Sequence, residues 1–243
     1  MNTGVEWLRR AQPWLGTLVE VGLPATSDGA LFDAAFAAIA DVQRLMSAFD
    51  AGSDIGRFNA AAADAVITVD AQTAAVLRLA RAFDARSGGL FDASAGSGRG
   101  WRLEGRRLHK LHPTTRLDLG GIAKGYAVDR AIDALQRAGA LAATVNAGGD
   151  LRGFGVELPI NLRDERAGGV RAFATLRDGA FATSRFGAGA RSVLAGTAGD
   201  PERHASVAAP RAAWADALTK VVAASGDTAH PLLARLGATA WLH

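Results

Sequence analysis

Along this chain, segments with the two-residue period of strands and segments with the 3.6-residue period of helices follow one another without regular alternation. No other feature limits the fold as strongly. A doubly wound parallel sheet needs a helix between successive strands, so this irregular order points to an α+β fold instead. Residues 15–23, LGTLVEVGL, alternate as a strand does. Leu31, Phe32, Phe36, Ile39, Val42 and Leu45 fall at helical spacing within 29–50, and DAGSDIGRFNAAA, 50–62, reads as a loop. Val76, Leu79, Ala80 and Phe83 predict a second helix over 71–86, stopped by Gly88 and Gly89. A glycine-rich loop, a hairpin within 101–111 and a strand ending at Leu119 come next. That strand breaks at Gly120-Gly121 into a helix with Val128, Ala131, Ile132 and Leu135 on one face, ended by Gly139. Residues 140–155 read as strand, turn, strand, and 171–184 as a hairpin turning at Asp178-Gly179. Residues 188–210 read as irregular, followed by a helix over 212–226, a short helix over 230–237 and a strand over 238–243. No repeat of solenoid length is present, and residues 1–243 read as a single domain.

Composition removes several function classes. The net charge is only +3 and no lysine or arginine run dominates, which argues against a nucleic-acid partner. The absence of cysteine excludes disulfides, thiolate metal sites, a cysteine nucleophile and a lipidated N-terminal cysteine. No apolar run approaches membrane-spanning length, so no membrane segment is expected. Arg9 and Arg10 are followed by Pro13, Gly16 and Glu20 rather than by an apolar signal core. The chain therefore reads as cytoplasmic, or as periplasmic if a leader has been removed. The five histidines are too scattered for a zinc cluster, and no G-x-S-x-G elbow of a serine hydrolase exists. Arginine is the default cation here, 24 against three lysines, so Lys110, Lys124 and Lys220 are each informative.

LDLGGIAKGYAVDRAID, 117–133, has the form of a phosphate cradle but fits neither standard nucleotide fingerprint. G-x-x-x-x-G-K-[ST] is missing, and Gly120, Gly121 and Gly125 are spaced G-G-x-x-x-G. Paired glycines allow close approach of a ligand, and the helix that follows offers N–H groups to an anion. Lys124 lies in the first turn of that helix, against its dipole, a placement that an anion bound between them would explain. An ordinary tight turn with a solvated lysine fits the stretch equally well. VNAGGDLRG, 145–153, is a second Gly-Gly turn closed by Asp150; FDAS, 91–94, places Asp92 in a glycine-rich loop. ADALTK, 215–220, sets Asp216 and Thr219 on one helical face, where a carboxylate and a hydroxyl can share a hard cation such as Mg²⁺. Each of these is also an ordinary turn or polar face.

Their order is more specific than any one of them. LGT (15–17), MSAFDAGSDIGRFN (46–59), GLFDAS (89–94), LDLGGIAKGYAVDRA (117–131), VNAGGDLRGFG (145–155), ATS (182–184) and ADALTK (215–220) form a series. The series resembles the FAD:protein FMN transferase family, also known as the ApbE family, across residues 15 to about 226. The resemblance implies an α+β fold of mixed, largely antiparallel sheets flanked by helices. It implies an enzyme that, with Mg²⁺, moves FMN from FAD to a threonine or serine of an acceptor flavoprotein and releases AMP. Two alternatives share the pocket: an FAD pyrophosphatase that hands FMN to water, and a non-catalytic FAD-binding protein.

Carried over residue by residue, the resemblance places Leu15 where a methionine usually lies against the flavin or adenine. Ala48, Phe49 and Asp50 would line the FAD pocket, Asp92 would hydrogen-bond the cofactor, and Lys124 would face its phosphates or ribityl chain. Gly121 would offer its carbonyl to the metal, with Asp216 and Thr219 adding side-chain oxygens; Asp216 and Lys124 are the residues implied in catalysis. Two departures stand out. The family pattern D-A-x-x-T separates carboxylate and hydroxyl by four positions, whereas Thr219 follows Asp216 by three and Lys220 takes the fourth place. The family's H-x-x-D-P-x-T-G segment is also not intact: SVLAGTAG, 192–199, has Ser192 in the histidine's place and no Asp-Pro. No D-x-x-[ST]-G-A-T acceptor segment occurs in the chain, so self-modification is not implied.

Overall fold

The computed structural model of the chain describes residues 6–94, 96–163, 168–187 and 203–243. In order it forms β1 (Trp7–Trp14), β2 (Thr17–Pro24), α1 (Ala30–Met46), α2 (Asp54–Ala60), β3 (Val66–Thr68) and α3 (Ala71–Arg86). The hairpin strands β4 (Trp101–Glu104) and β5 (Arg107–Lys110) precede α4 (Ala123–Arg137), β6 (Ala143–Ala147) and β7 (Asp150–Phe154). The chain continues through β8 (Glu157–Arg163), β9 (Val170–Arg177), β10 (Ala180–Phe186) and β11 (Arg203–Ala209). It closes with α5 (Ala212–Ser225), α6 (Pro231–Arg235) and β12 (Thr239–Leu242). Seven strands make the main sheet in the order β1-β2-β6-β7-β10-β11-β12, with every neighbouring pair antiparallel. Two smaller antiparallel sheets, β3-β5-β4 and β8-β9, complete an α+β architecture. No helix among the described residues is long and apolar enough to cross a membrane.

The helices cover one face of the main sheet. Phe32, Phe36 and Ile39 of α1 and Val128, Ile132 and Leu135 of α4 enclose Val19, Val21 and Val145 of β2 and β6 in one apolar cluster. Leu218, Val221 and Val222 of α5 join Ile55, Phe58, Leu77 and Phe83 of α2 and α3 over Ala182 and Val207 in another. Alternation sends Phe181 of β10 to the opposite face, where Ile160 and Leu162 of β8 and Phe173 of β9 cover it. Hence Ala180, Ala182 and Ser184 share the helix side.

Several local expectations change. The strand expected over 15–23 starts at Thr17 as β2, because Leu15 (φ 56°) and Gly16 (φ 71°) form the turn of a β1-β2 hairpin. Positive φ at both central residues matches the twist of the flanking strands. The edge strand β1 carries Pro13 and mostly exposed side chains, so it shows no apolar alternation. Residues 54–60, expected as loop, form α2, with the Ser53 hydroxyl accepting Gly56 N–H at 2.8 Å as its N-cap. The expected strand ending at Leu119 joins no sheet among the described residues. Its backbone is held by the amide of Asn59, which donates to Leu117 O at 2.9 Å and accepts from Leu117 N at 2.7 Å. The expected hairpin across Asp178-Gly179 does not form: β9 pairs with β8, and β10 pairs with β7 and β11. Asp178 caps this change of sheet by accepting Gly155 N–H at 2.7 Å. Within 188–210, residues 203–209 are strand β11; β3 and β8 were also not legible in the pattern.

Candidate functional site

The two N-terminal ends of α4 and α5 meet, and each is capped by a carboxylate from the other helix. Neither Ile122 nor Arg211, the N-cap residues, caps its own helix with a side chain. Asp129 of α4 instead accepts Ala212 N–H and Ala213 N–H, both at 3.0 Å, at the start of α5. Asp216 of α5 accepts Gly125 N–H at 3.2 Å in the first turn of α4. The exchange requires Gly125, since a Cβ there would lie 2.2 Å from the Ala212 carbonyl oxygen. The third glycine of the G-G-x-x-x-G stretch thus serves a helix crossing. Arg152 of β7, donating to Asp129 at 2.7 Å, ties this crossing to the main sheet.

On this crossing sits a cluster of two carboxylates and two ammonium groups. Lys124 pairs with Asp150, the first residue of β7, and lies 3.9 Å from Asp216. Lys220 pairs with the other oxygen of Asp216 and donates to Ser184 of β10 at 2.8 Å. Two of the chain's three lysines therefore meet at one point. The third, Lys110, is buried elsewhere, donating to the carbonyls of Phe58 and Asn59 at 3.3 and 3.1 Å. Asp150 and Asp216 are fully buried, while the Lys124 side chain keeps 32% exposure, so the outward member of the cluster is a cation. The anion that the reading of Lys124 required at this helix start is supplied by the protein itself.

Burial and charge pull these groups apart. Burial penalises the Asp150 carboxylate and the neighbouring Asp216 charge adds to it; the lysines offset this only in part, leaving its pKa at about 6. Asp216 suffers the same desolvation, but Lys124, Lys220 and the Gly125 N–H outweigh it and hold Asp216 below the ordinary carboxylate range. For Lys124, burial works against the charge, yet the Asp216 and Asp150 carboxylates win and raise its pKa. At neutral pH both Asp216 and Lys124 are charged.

The expected metal ligands come together in this cluster, but as they stand they do not fit a resident Mg²⁺. That ion requires an octahedral shell of oxygens. Lys220 sits among the oxygens in question: its ammonium is on Asp216 and 3.2 Å from the Thr219 hydroxyl. The Thr219 hydroxyl is turned back to donate to the Asp216 carbonyl at 2.6 Å, and lies 2.7 Å from Ser184 Oγ. Gly121 lies beneath the Lys220 stem, where an added Cβ would approach Lys220 Cε to 3.3 Å. Two ammonium groups already balance two carboxylates, so a dication would enter with no charge to neutralise it.

The remaining expected residues lie around the cluster or apart from it. Asp92 is placed by its neighbour Phe91, against which a Cβ on Gly121 would pack at 3.5 Å. Its carboxylate is engaged locally, accepting Ser94 N–H at 2.8 Å and the Ser94 hydroxyl at 2.5 Å. Leu15 occupies the hairpin turn, its N–H bonded to Gln43 Oε1 at 2.6 Å. Thr17, two residues on, abuts the β6-β7 turn at Gly148, so that turn and Leu15 share the sheet end where Asp150 begins β7. Ala48, Phe49 and Asp50 form the turn between α1 and α2, and Phe49 is 99% exposed. Asp50 bonds within that turn, accepting Gly52 N–H at 2.8 Å. Ser192 lies outside the described residues. Asp150, Ser184 and Lys220 were not assigned from sequence; the scarcity of lysine was the one signal that pointed to Lys220. A cavity of about 410 Å³ lined by Leu79, Phe83, Trp214, Leu232 and Leu236 is elsewhere and contains none of these groups.

Comparison with known proteins places the fold. The sequence model of the ApbE family matches residues 15–103 and 97–242. A mutant of flavin transferase ApbE from Vibrio cholerae superposes with a TM-score of 0.81 at 20% identity, covering 98% of this chain and 93% of that one. The apo form of the Pseudomonas stutzeri flavinyl transferase ApbE gives 0.80 at 21% identity, covering 97% and 90%. The ApbE protein of Thermotoga maritima gives 0.82 at 22% identity, covering 98% and 93%. At these identities the structures show a shared fold. No curated protein sequence matches.

Proposed function

The chain belongs to the ApbE family, and on that premise we propose that it is an FAD:protein FMN transferase. Its donor is FAD, and its acceptor is a flavoprotein presenting a threonine or serine. The acceptor hydroxyl oxygen attacks the phosphorus of the FMN half. A new P–O bond forms, the bond to the bridging oxygen breaks with its electron pair, AMP leaves, and the hydroxyl proton is released. Such a step depends on charge neutralisation and in-line positioning more than on a strong nucleophile.

One observation carries the reading. The Lys124 ammonium is the exposed member of a cluster whose carboxylates are fully buried. It is fixed by Asp150 and Asp216 rather than left to roam, so it can meet pyrophosphate oxygens with little reorganisation. Asp216 aligns both lysines and caps α4, which makes it the residue that orders the cluster. The Mg²⁺ implied by the family resemblance does not fit these residues as they stand, and no step is assigned to it.

The test is incubation of the purified protein with FAD and an acceptor carrying a D-x-x-[ST]-G-A-T segment. The readouts are AMP by chromatography and covalent flavin by in-gel fluorescence. Transfer yields both in equal amounts, and Asp216→Ala removes both. AMP without labelled acceptor would instead identify an FAD pyrophosphatase. Tight FAD binding without AMP, with or without added Mg²⁺, would refute both enzymatic readings and leave a flavin-binding protein.

A further inference from the structure

We infer that the Lys220 ammonium is the resident cation of this site, standing where a divalent ion would otherwise be held by Asp216. Three observations converge. First, Lys220 follows Asp216 by four positions on α5, the helical spacing and order at which an acidic residue best reaches a lysine. Its ammonium is accordingly bonded to Asp216 Oδ1, with the Ser184 and Thr219 hydroxyls at 2.8 and 3.2 Å. A carboxylate and two hydroxyls are the kind of oxygen set that a hard cation takes. Second, the hydroxyl at the third position is engaged within the protein. The Thr219 hydroxyl is held back along α5 on the Asp216 carbonyl at 2.6 Å, and its oxygen already faces the Lys220 ammonium at 3.2 Å. Third, the space over Gly121 is filled by the lysine stem, with a Cβ there 3.3 Å from Cε and 3.6 Å from Cγ.

The electrostatics keep a metal out. Among the described residues, the charged groups facing this point are Asp216, Asp150, Lys124 and Lys220, and they sum to zero. A dication would lie within a few ångströms of an ammonium that has no bulk water to retreat into, since the Lys220 side chain is only 13% exposed. The catalytic corollary rests on the transfer reading above: Lys124 meets the pyrophosphate without a divalent ion, and AMP release survives removal of divalent ions. The binding claim stands without that reading.

Mn²⁺ alone is therefore the probe, followed by electron paramagnetic resonance and calorimetry on the full chain without flavin, then with saturating FAD. The wild type should show no saturable Mn²⁺ binding that depends on Asp216. Lys220→Thr, which places a hydroxyl at the fourth position, should bind Mn²⁺ more than about tenfold tighter than wild type, because one like charge is removed at close range. Adding Asp216→Asn should abolish the gain. Far-UV circular dichroism verifies the fold, and Lys220→Gln serves if the threonine variant does not fold. Wild-type binding of Mn²⁺ that Asp216→Asn removes would overturn the inference. So would a folded Lys220 variant that binds no tighter than wild type. These outcomes need no turnover, so they are separable from failure of the transferase reading, in which FAD yields no AMP.

Discussion

Asp129→Ala tests whether the crossed helices hold each other in place. The substitution strips α5 of both acceptors for Ala212 and Ala213 N–H and leaves the Arg152 guanidinium, 13% exposed, without its nearest carboxylate. Loss of an N-cap costs about 1 kcal/mol, and breaking a buried ion pair costs about 3–5 kcal/mol. The sum overstates the effect, because one carboxylate serves all three partners and the terms are coupled. Asp133 also lies 3.9 Å from Arg152 and can take up part of its charge. The expected loss is therefore about 3 kcal/mol, at the low end for a buried pair. For a chain of this size that lowers Tm by about 6–12 °C. Urea unfolding gives the first quantity and a thermal scan the second. Asp129→Asn keeps one acceptor and the shape of the side chain, so it should lose about half as much. An alanine variant within about 0.5 kcal/mol of wild type, the range of an ordinary surface change, would refute the mutual-capping account.

Gly125→Ala should also destabilise, although alanine is ordinarily the better helix former by about 1 kcal/mol. Its Cβ would lie 2.2 Å from the Ala212 carbonyl oxygen, so the helices must part; a loss of about 1–3 kcal/mol in urea unfolding is expected, and a gain would disprove the close crossing. The stability of the wild type should fall as pH rises through about 6, the native pKa of Asp150. An unfolded aspartate titrates near 3.9, so between about 4 and 6 the native state holds a proton that the unfolded chain has lost. Asp150's contribution is thus fully present below about 4 and lost above about 6. Relative to Asp150→Asn, wild-type stability should decline between pH 5 and pH 7.5; a rise over that range would reverse the assigned sign.

How far the sequence reached depended on the distance over which its signals act. The helices over 30–46, 71–86, 123–137 and 212–225 were legible because their buried faces recur every three or four residues. The turn at Gly148-Gly149 was marked by its residues. The ordered series of short motifs identified the family, since order along a chain is itself a sequence property. The strands were harder. A strand's partner is chosen through space, so 171–184 read as a hairpin although β9 and β10 enter different sheets. Asn59 likewise holds Leu117 across 58 residues, a pairing that no local pattern encodes.

The site divides in the same way. The family resemblance read from the sequence implied one constellation for Gly121, Lys124, Asp216 and Thr219, and the sequence set Lys220 at the fourth position after Asp216. Only the tertiary structure decided what that fourth position does. Whether a helical side chain points to water or into a carboxylate depends on what packs over it, and here Ser184 of β10 and Gly121 enclose the Lys220 ammonium beside Asp216. The charge on a residue is written in the sequence; the partner that neutralises it is set by the fold.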